Sequence, residues 1–129
     1  PAMKLESTAL KGKDVVNLTP QIRGNVIGTT LLVHEIFSQR EKYSVADLAY
    51  SAQSYLARSL AQLTIEEAEQ LNVNNIGFSG GVAYNEQITG TIRRVVEGKG
   101  FKFLVNSKVP PGDGGISFGQ AVVGGFWQF

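Results

Sequence analysis

The sequence contains no cysteine, which removes disulfides, thiolate zinc sites and a cysteine nucleophile at once. Histidine occurs once, at His34, so neither an all-histidine metal site nor a His-Glu-x-x-His zinc site can form within these residues. An excess of one charge is also missing. Twelve basic residues stand against 11 acidic ones, a net charge of +1, too balanced to suggest a nucleic-acid or membrane surface as partner. No apolar run reaches the roughly 20 residues that a membrane span needs. No secretory signal is visible, and a cytoplasmic location is expected. The chain has no repeat, no low-complexity tract and no linker rich in proline or serine.

What is present is 129 residues, 43% hydrophobic and 18% charged. That excludes disorder and a fibrous repeat, and it suits one compact domain or one lobe of a larger one. A chain of this length can bury a core without metal or disulfide staples. The first residues, Pro1-Ala2-Met3, do not look like a natural start. Pro1 suits the first turn of a helix, and Ala2 to Leu10 continues with good helix formers until Lys11-Gly12-Lys13. Leu18-Thr19-Pro20 reads as a second start, with Thr19 as N-cap. Between Asn25 and Gln39, Val26, Thr30, Val33 and Phe37 share one helical stripe, with Ile27 and Leu31 beside it.

Ser44 opens the clearest helix, with Asp47 at the reciprocal capping position. Leu48, Ala52, Leu56, Leu60 and Leu63 follow at helical spacing, and Thr64 is expected to cap a further turn. Asn74 to Ser79 reads as a buried strand stopped by Gly80-Gly81. Ile88, Ile92, Val95 and Val96 mark the next helix, ended by Gly98-Lys99-Gly100. Phe101 to Asn106 alternates as a second strand, with Phe101, Phe103 and Val105 on one face. A glycine-rich loop then leads into a last helix, Ile116 to Val123. Strand, crossover helix and strand favour a parallel pair. Two strands do not satisfy a sheet, so the remainder is expected outside this chain or from a partner. The fold class is α/β, helix-rich, with a short parallel strand pair.

Two constellations could carry chemistry. In Phe78-Ser79-Gly80-Gly81-Val82-Ala83-Tyr84-Asn85 a strand ends in two glycines and a helix is expected to begin at once. Glycine lets a ligand approach the backbone closely, and free N–H groups at a helix start favour an anion. Asn85, one turn in, could hydrogen-bond a ribose or phosphate oxygen. A plain strand-to-helix turn explains the same residues equally well. In Pro110-Pro111-Gly112-Asp113-Gly114-Gly115, Asp113 could cap the following helix, the more economical reading, or offer one carboxylate oxygen to a metal. No second carboxylate or histidine lies nearby in sequence. His34 has no obvious partner and reads as structural. Arg93-Arg94 and Lys99 with Lys102 read as a solvated helix end, and Phe126 and Trp127 as cover for exposed core. No Gly-x-Ser-x-Gly elbow, Walker loop or Gly-x-Gly-x-x-Gly fingerprint occurs.

Together, Ser79-Gly80-Gly81-Val82-x-x-Asn85 and Pro110-Pro111-Gly112-Asp113-Gly114-Gly115-Ile116-Ser117-Phe118-Gly119-Gln120-Ala121 resemble the end of the HypF carbamoyltransferases. The opening Pro1-Ala2-Met3-Lys4-Leu5-Glu6 resembles the helix that follows a glycine pair in the same family. The resemblance covers nearly the whole chain. It implies one lobe of an actin-like (ribonuclease H-like) ATPase fold, related to the tRNA threonylcarbamoyl transferases. It implies an enzyme that uses ATP and carbamoyl phosphate to make a carbamoyl adenylate. The carbamoyl group then passes to the C-terminal cysteine of HypE, on the route to the cyanide ligands of nickel–iron hydrogenases. By the same resemblance Gly80, Gly81 and Asn85 contact the nucleotide, Glu6 reaches the ribose, and Asp113 is one ligand of a divalent metal (iron, zinc or magnesium). The catalytic residues are not identified.

This chain also departs from the family pattern. The tRNA-modifying relatives carry Cys-Thr-Asp-Asn where Pro111-Gly112-Asp113-Gly114-Gly115 stands here, which favours the HypF branch. The family's metal-binding histidine pair lies upstream and has no counterpart here. The acylphosphatase-like, zinc-finger and dinucleotide-loop domains are missing too. Residues 1–129 are therefore expected to be the C-terminal lobe of a HypF-type carbamoyl-transfer domain. Its partners would be HypE, the two small substrates and the missing N-terminal part, and the lobe alone is expected to be inactive. The alternatives are a lobe of a tRNA threonylcarbamoyladenosine-type transferase, a nucleotide-binding module without chemistry, and a structural protein whose glycine turns serve packing.

Overall fold

A computed structural model describes residues 2–126. Its elements are α1 (Ala2–Ala9), β1 (Ile22–Arg23), β2 (Val26–Ile27), α2 (Thr30–Ser38), α3 (Val45–Gln70), β3 (Asn75–Phe78), α4 (Glu86–Gly98), β4 (Lys102–Val105) and α5 (Ile116–Phe126). Two short 3-10 turns, Gly81–Tyr84 and Asp113–Gly115, precede α4 and α5. No described helix is long and apolar enough to cross a membrane.

The 26-residue α3 is the spine. Ser44 caps it, its hydroxyl oxygen accepting the Asp47 N–H at 3.1 Å. Asp47 stands at the reciprocal capping position, and the Ser44 backbone N–H is among the groups that hold its carboxyl low. Its carboxylate accepts the Ser44 hydroxyl at 2.8 Å and the Lys13 N–H at 3.0 Å, which ties the chain after α1 to the start of α3. Thr64 starts no new helix. Its hydroxyl donates to the Leu60 carbonyl within an unbroken α3, so no capping geometry is left to it.

The buried face of α3 also differs from the leucine stripe. Ala57, Ala61, Ile65 and Ala68 form the core with Ile76, Ile92, Val96 and Phe103, and Phe78, Ile88, Val95 and Phe101 pack on it. Of the leucine-spaced positions Leu48 is buried, Ala52, Leu56 and Leu63 are half-buried and Leu60 is exposed, and Leu48 and Ala52 border an apolar groove beside α2. Helix α4 packs on this face of α3, where small side chains let the two backbones approach.

Pairing of β3 with β4 is parallel, with Ile76 opposite Phe103 and Phe78 opposite Val105, and α4 forms the crossover. Ile76 and Phe103 face the core, while Leu104 is exposed on the other side and Val105 lies at the open end. Among the described residues this sheet has two strands.

The segment before α2 is the largest departure from the sequence reading. Thr19-Pro20 begins no helix, and Val26 and Ile27 are strand. Ile22–Arg23 and Val26–Ile27 form an antiparallel hairpin around Gly24, whose φ of 55° suits a two-residue hairpin turn. Side chains of α3 hold this segment. The buried Tyr55 hydroxyl accepts the Gln21 N–H and donates to the Gly28 carbonyl. Ser51 accepts from Val15 N–H, and Arg58 bonds Asp14 at 2.6 Å and the Leu18 carbonyl at 3.0 Å. Tertiary anchoring decides the conformation over local periodicity.

In the shortened α2, Leu32 is buried but Val33 and Phe37 are each 65% exposed, so the expected stripe faces outward. His34 lies on the surface, 3.6 Å from Glu35. Helix α5 buries none of its residues, and Phe126 is 84% exposed, covering no core. Trp127 and Pro1 lie outside the described residues.

Candidate functional site

Parallel pairing puts the carboxyl ends of β3 and β4 at the same edge of the sheet, where ligands of open α/β sheets bind. The Ser79-Gly80-Gly81 turn leaves β3 there, and the Pro110–Gly115 loop follows β4. The two motifs, about thirty residues apart in sequence, meet. The Pro111 carbonyl accepts the Gly80 N–H at 2.7 Å and the Ser79 hydroxyl at 3.2 Å. A Cβ on Gly112 would lie 2.9 Å from the Tyr84 ring and 3.7 Å from the Gly81 Cα, so glycine permits this approach.

Gly80 has φ 104°, a backbone conformation that side chains rarely adopt. Gly81 does not lie in that region, and a Cβ there would meet nothing within 4 Å. Its missing side chain is therefore explained neither by backbone strain nor by packing. The helix does not begin at once after the glycines. A 3-10 turn intervenes because Asn85 takes the N-cap of α4, its Oδ1 accepting the Ile88 N–H at 2.9 Å. The opening N–H groups of such a turn have no acceptor within it and can be offered to an anion.

Asn85 is nearly buried, and its Nδ2 donates to Gln53 Oε1 at 2.7 Å. One amide hydrogen and one lone pair remain for a ligand. The far end of Gln53 donates to the Leu5 carbonyl at 3.2 Å, so α1, α3 and the cap of α4 are joined. Glu6, half-buried on α1, lines a cavity of about 250 Å³ together with Gln53, Gly81, Asn85 and Ile88. A neighbouring cavity of about 480 Å³ is bordered by Glu6, Tyr50, Tyr84, Asn85 and Glu86. Gly81, Asn85 and Glu6 thus share one cleft. Gln53 was missed in the sequence because a glutamine inside a leucine-spaced helix carries no motif signal.

Asp113 is exposed and opens the second 3-10 turn, where Gly112 occupies the cap position and forms no side-chain bond. The helix-cap reading is thereby not realised in the turn. A single carboxylate on a glycine-rich loop fits one ligand position of a divalent metal. The described residues hold no group of three or more His, Cys, Asp or Glu side chains able to bind one. Asp113 can therefore supply one oxygen, and the rest of such a centre is not provided by these residues. A separate cavity of about 490 Å³ between α3 and α4 contains Arg58, Glu66, Glu69 and Lys99 but none of the motif residues, and Arg58 is committed to Asp14.

Residues 1–120 match the family described as carbamoyltransferase, Kae1-like domain, second subdomain. The chain is 35% identical over 123 residues to the probable carbamoyltransferase HypF of Methanocaldococcus jannaschii, covering 95% of this chain and 16% of the relative. It is 30% identical over 112 residues to the tRNA N6-adenosine threonylcarbamoyltransferase of Thermococcus gammatolerans, covering 85% and 33%. Among solved structures, T. kodakarensis HypF superposes with a TM-score of 0.85 at 44% identity, over 97% of this chain and 16% of that one. A full-length HypF in a phosphate- and nucleotide-bound form superposes with a TM-score of 0.78 at 25% identity, over 95% and 17%. The chain spans about a sixth of the length of these HypF relatives. It belongs to the Kae1-like carbamoyltransferase family and has the fold of that family's second subdomain, as its α/β, helix-rich architecture anticipates.

Proposed function

We propose that residues 1–129 form one wall of a HypF-type carbamoyl-transfer site that uses ATP and carbamoyl phosphate to carbamoylate the C-terminal cysteine of HypE during hydrogenase maturation. The observation that carries this reading is the joining of the two glycine motifs through Pro111 beside the open Gly81. The N–H groups after Gly80 bind phosphate oxygens, Asn85 holds the ribose side through its spare amide valences, and Glu6 reaches a sugar hydroxyl. Carbamoyl phosphate first loses its phosphate to water as inorganic phosphate. The resulting carbamate oxygen attacks the α-phosphorus of ATP and pyrophosphate leaves, and the HypE thiolate then attacks the carbamoyl carbon and displaces AMP. A divalent metal, where bound, neutralises phosphate charge, and Asp113 contributes one carboxylate oxygen to it. The greater identity to HypF than to the tRNA-modifying relative supports the HypE acceptor over tRNA.

The test is carbamoyl-phosphate-dependent exchange of pyrophosphate into ATP, followed by mass analysis of a HypE chain ending in cysteine. The full-length protein should catalyse both steps. The 129-residue chain alone should catalyse neither, because it supplies one wall and a single metal-ligand candidate. Enzyme-like turnover by this chain would overturn the lobe reading. Carbamoylation of tRNA-bound adenosine instead of HypE would overturn the assignment of acceptor.

A further inference from the structure

The Gln53 side chain lies at the junction of the cleft, although it belongs to neither motif. It is 3% exposed, in the middle of α3. Both ends of its amide are used, Oε1 by Asn85 Nδ2 at 2.7 Å and Nε2 by the Leu5 carbonyl at 3.2 Å. Glutamine has the donor and acceptor arrangement needed to serve both partners at once. Its Nε2 meets a carbonyl, which can only accept, so its Oε1 must face Asn85 and receive an N–H. That in turn fixes the orientation of Asn85, whose Oδ1 caps Ile88. The Leu5 carbonyl lies one residue before Glu6, so the same side chain also holds α1 against the cleft.

We infer that Gln53 is a positioning residue of the nucleotide site. It sets the amide orientation of Asn85 and the placement of Glu6, two side chains that come from elements far apart in sequence. Its amide is engaged by Asn85 and the Leu5 carbonyl, so it acts on the nucleotide through them. The inference rests on the nucleotide reading of the cleft, and its consequence is specific. Disturbing Gln53 should change ATP affinity and leave the use of carbamoyl phosphate alone.

The experiment compares Gln53→Met and Gln53→Glu in the full-length protein, with Gly81→Val in parallel. Calorimetric Kd for ATP and KM for carbamoyl phosphate are the readouts. Gln53→Met keeps most of the bulk and loses both hydrogen bonds, so ATP affinity should fall about tenfold, equivalent to about 1.4 kcal/mol, with KM for carbamoyl phosphate unchanged. Gln53→Glu keeps an acceptor for Asn85 Nδ2 but turns its second oxygen to the Leu5 carbonyl, so it should recover part of that loss only at low pH, where the protonated carboxyl can donate there. Combining Gln53→Met with Asn85→Ala should cost less than the sum of the two, because the part of the loss that acts through Asn85 is shared and only the part that acts through Glu6 remains. ATP affinity within twofold of the parent in folded Gln53→Met, while Gly81→Val weakens binding, would overturn the positioning role. So would strictly additive losses. If Gly81→Val and Asn85→Ala also leave ATP binding unchanged, the nucleotide reading fails and this inference fails with it. If Gln53→Met does not fold, Gln53→Glu and its affinity relative to the parent decide the matter.

Discussion

Replacing Gly81 by valine separates a ligand-driven glycine from a fold-driven one. Gly81 lies outside the left-handed region, and a Cβ there meets no atom within 4 Å. The substitution should therefore change folding stability by no more than about 0.5–1 kcal/mol, with some gain from a less free unfolded chain. Binding should respond very differently. A branched side chain at this point occupies the space through which an anion reaches the N–H groups of the Gly81–Tyr84 turn. Hydrogen bonds to a charged group are worth about 1.5–3 kcal/mol each. Losing one to two of them predicts a cost of at least about 1.5 kcal/mol, roughly tenfold in Kd at 1.4 kcal/mol per decade. The assay is titration calorimetry with ATP on the full-length protein, with melting measured on the same samples. Gly12→Ala is the contrast, since a Cβ there collides with the Ala46 carbonyl oxygen and must shift backbone. It should lower the melting temperature markedly. Unchanged ATP affinity in folded Gly81→Val would refute the placement of the nucleotide.

Asp113→Asn, in the full-length protein, preserves shape and removes the anion; metal content by elemental analysis should drop while the melting temperature stays put, and full occupancy would exclude the ligand role. Tyr55→Phe leaves the Gln21 N–H and the Gly28 carbonyl without their shared hydroxyl, so chemical denaturation should give a loss of about 1–3 kcal/mol. The Ser44 hydroxyl, then the Lys13 N–H, hold the Asp47 carboxyl below its ordinary value. A lowered folded pKa adds stability that is complete above the unfolded pKa and is lost as pH falls through the folded one. Asp47→Asn should accordingly lose stability at neutral pH and converge on the parent in strong acid, as read from paired pH–denaturation curves.

The sequence was most readable where local chemistry and tertiary demand agree. Ser44 caps α3, Ile76 and Phe103 are core, and the strand–helix–strand order is a parallel pair, as the spacing predicts. It was least readable where a distant side chain overrides local pattern. Residues 14–28 are shaped by Tyr55, Ser51 and Arg58 reaching across from α3, and none of those bonds leaves a periodic trace. The spacing of Val33 and Phe37 is helical, but periodicity identifies a face without saying what covers it. Likewise leucine spacing marks Leu48, which is buried, but not Ala57, Ala61 and Ala68, whose small side chains join the core and carry little hydrophobic signal of their own. Asn85 was legible as a polar residue after a glycine turn. Its work as an N-cap was not, since that depends on the 3-10 turn which delays α4.

The glycines of the site have three different causes, and this makes the motif interpretable. Gly80 answers to its backbone, with φ at 104°. Gly112 answers to packing, because a Cβ there would lie 2.9 Å from the Tyr84 ring. Gly81 answers to neither. Removing a side chain raises the entropy lost on folding, so a glycine with no conformational or packing reason carries a cost of about 0.5–1 kcal/mol relative to alanine. A fold-only account of the Ser79–Asn85 turn explains Gly80 and leaves Gly81 without a cause. On the proposed function an anion seated against the turn gives Gly81 a cause, since a missing side chain leaves its N–H open to approach. The same reasoning assigns Gly112 to assembly of the cleft, through its approach to Tyr84, and distinguishes it from Gly81, which the proposed function sets against the ligand.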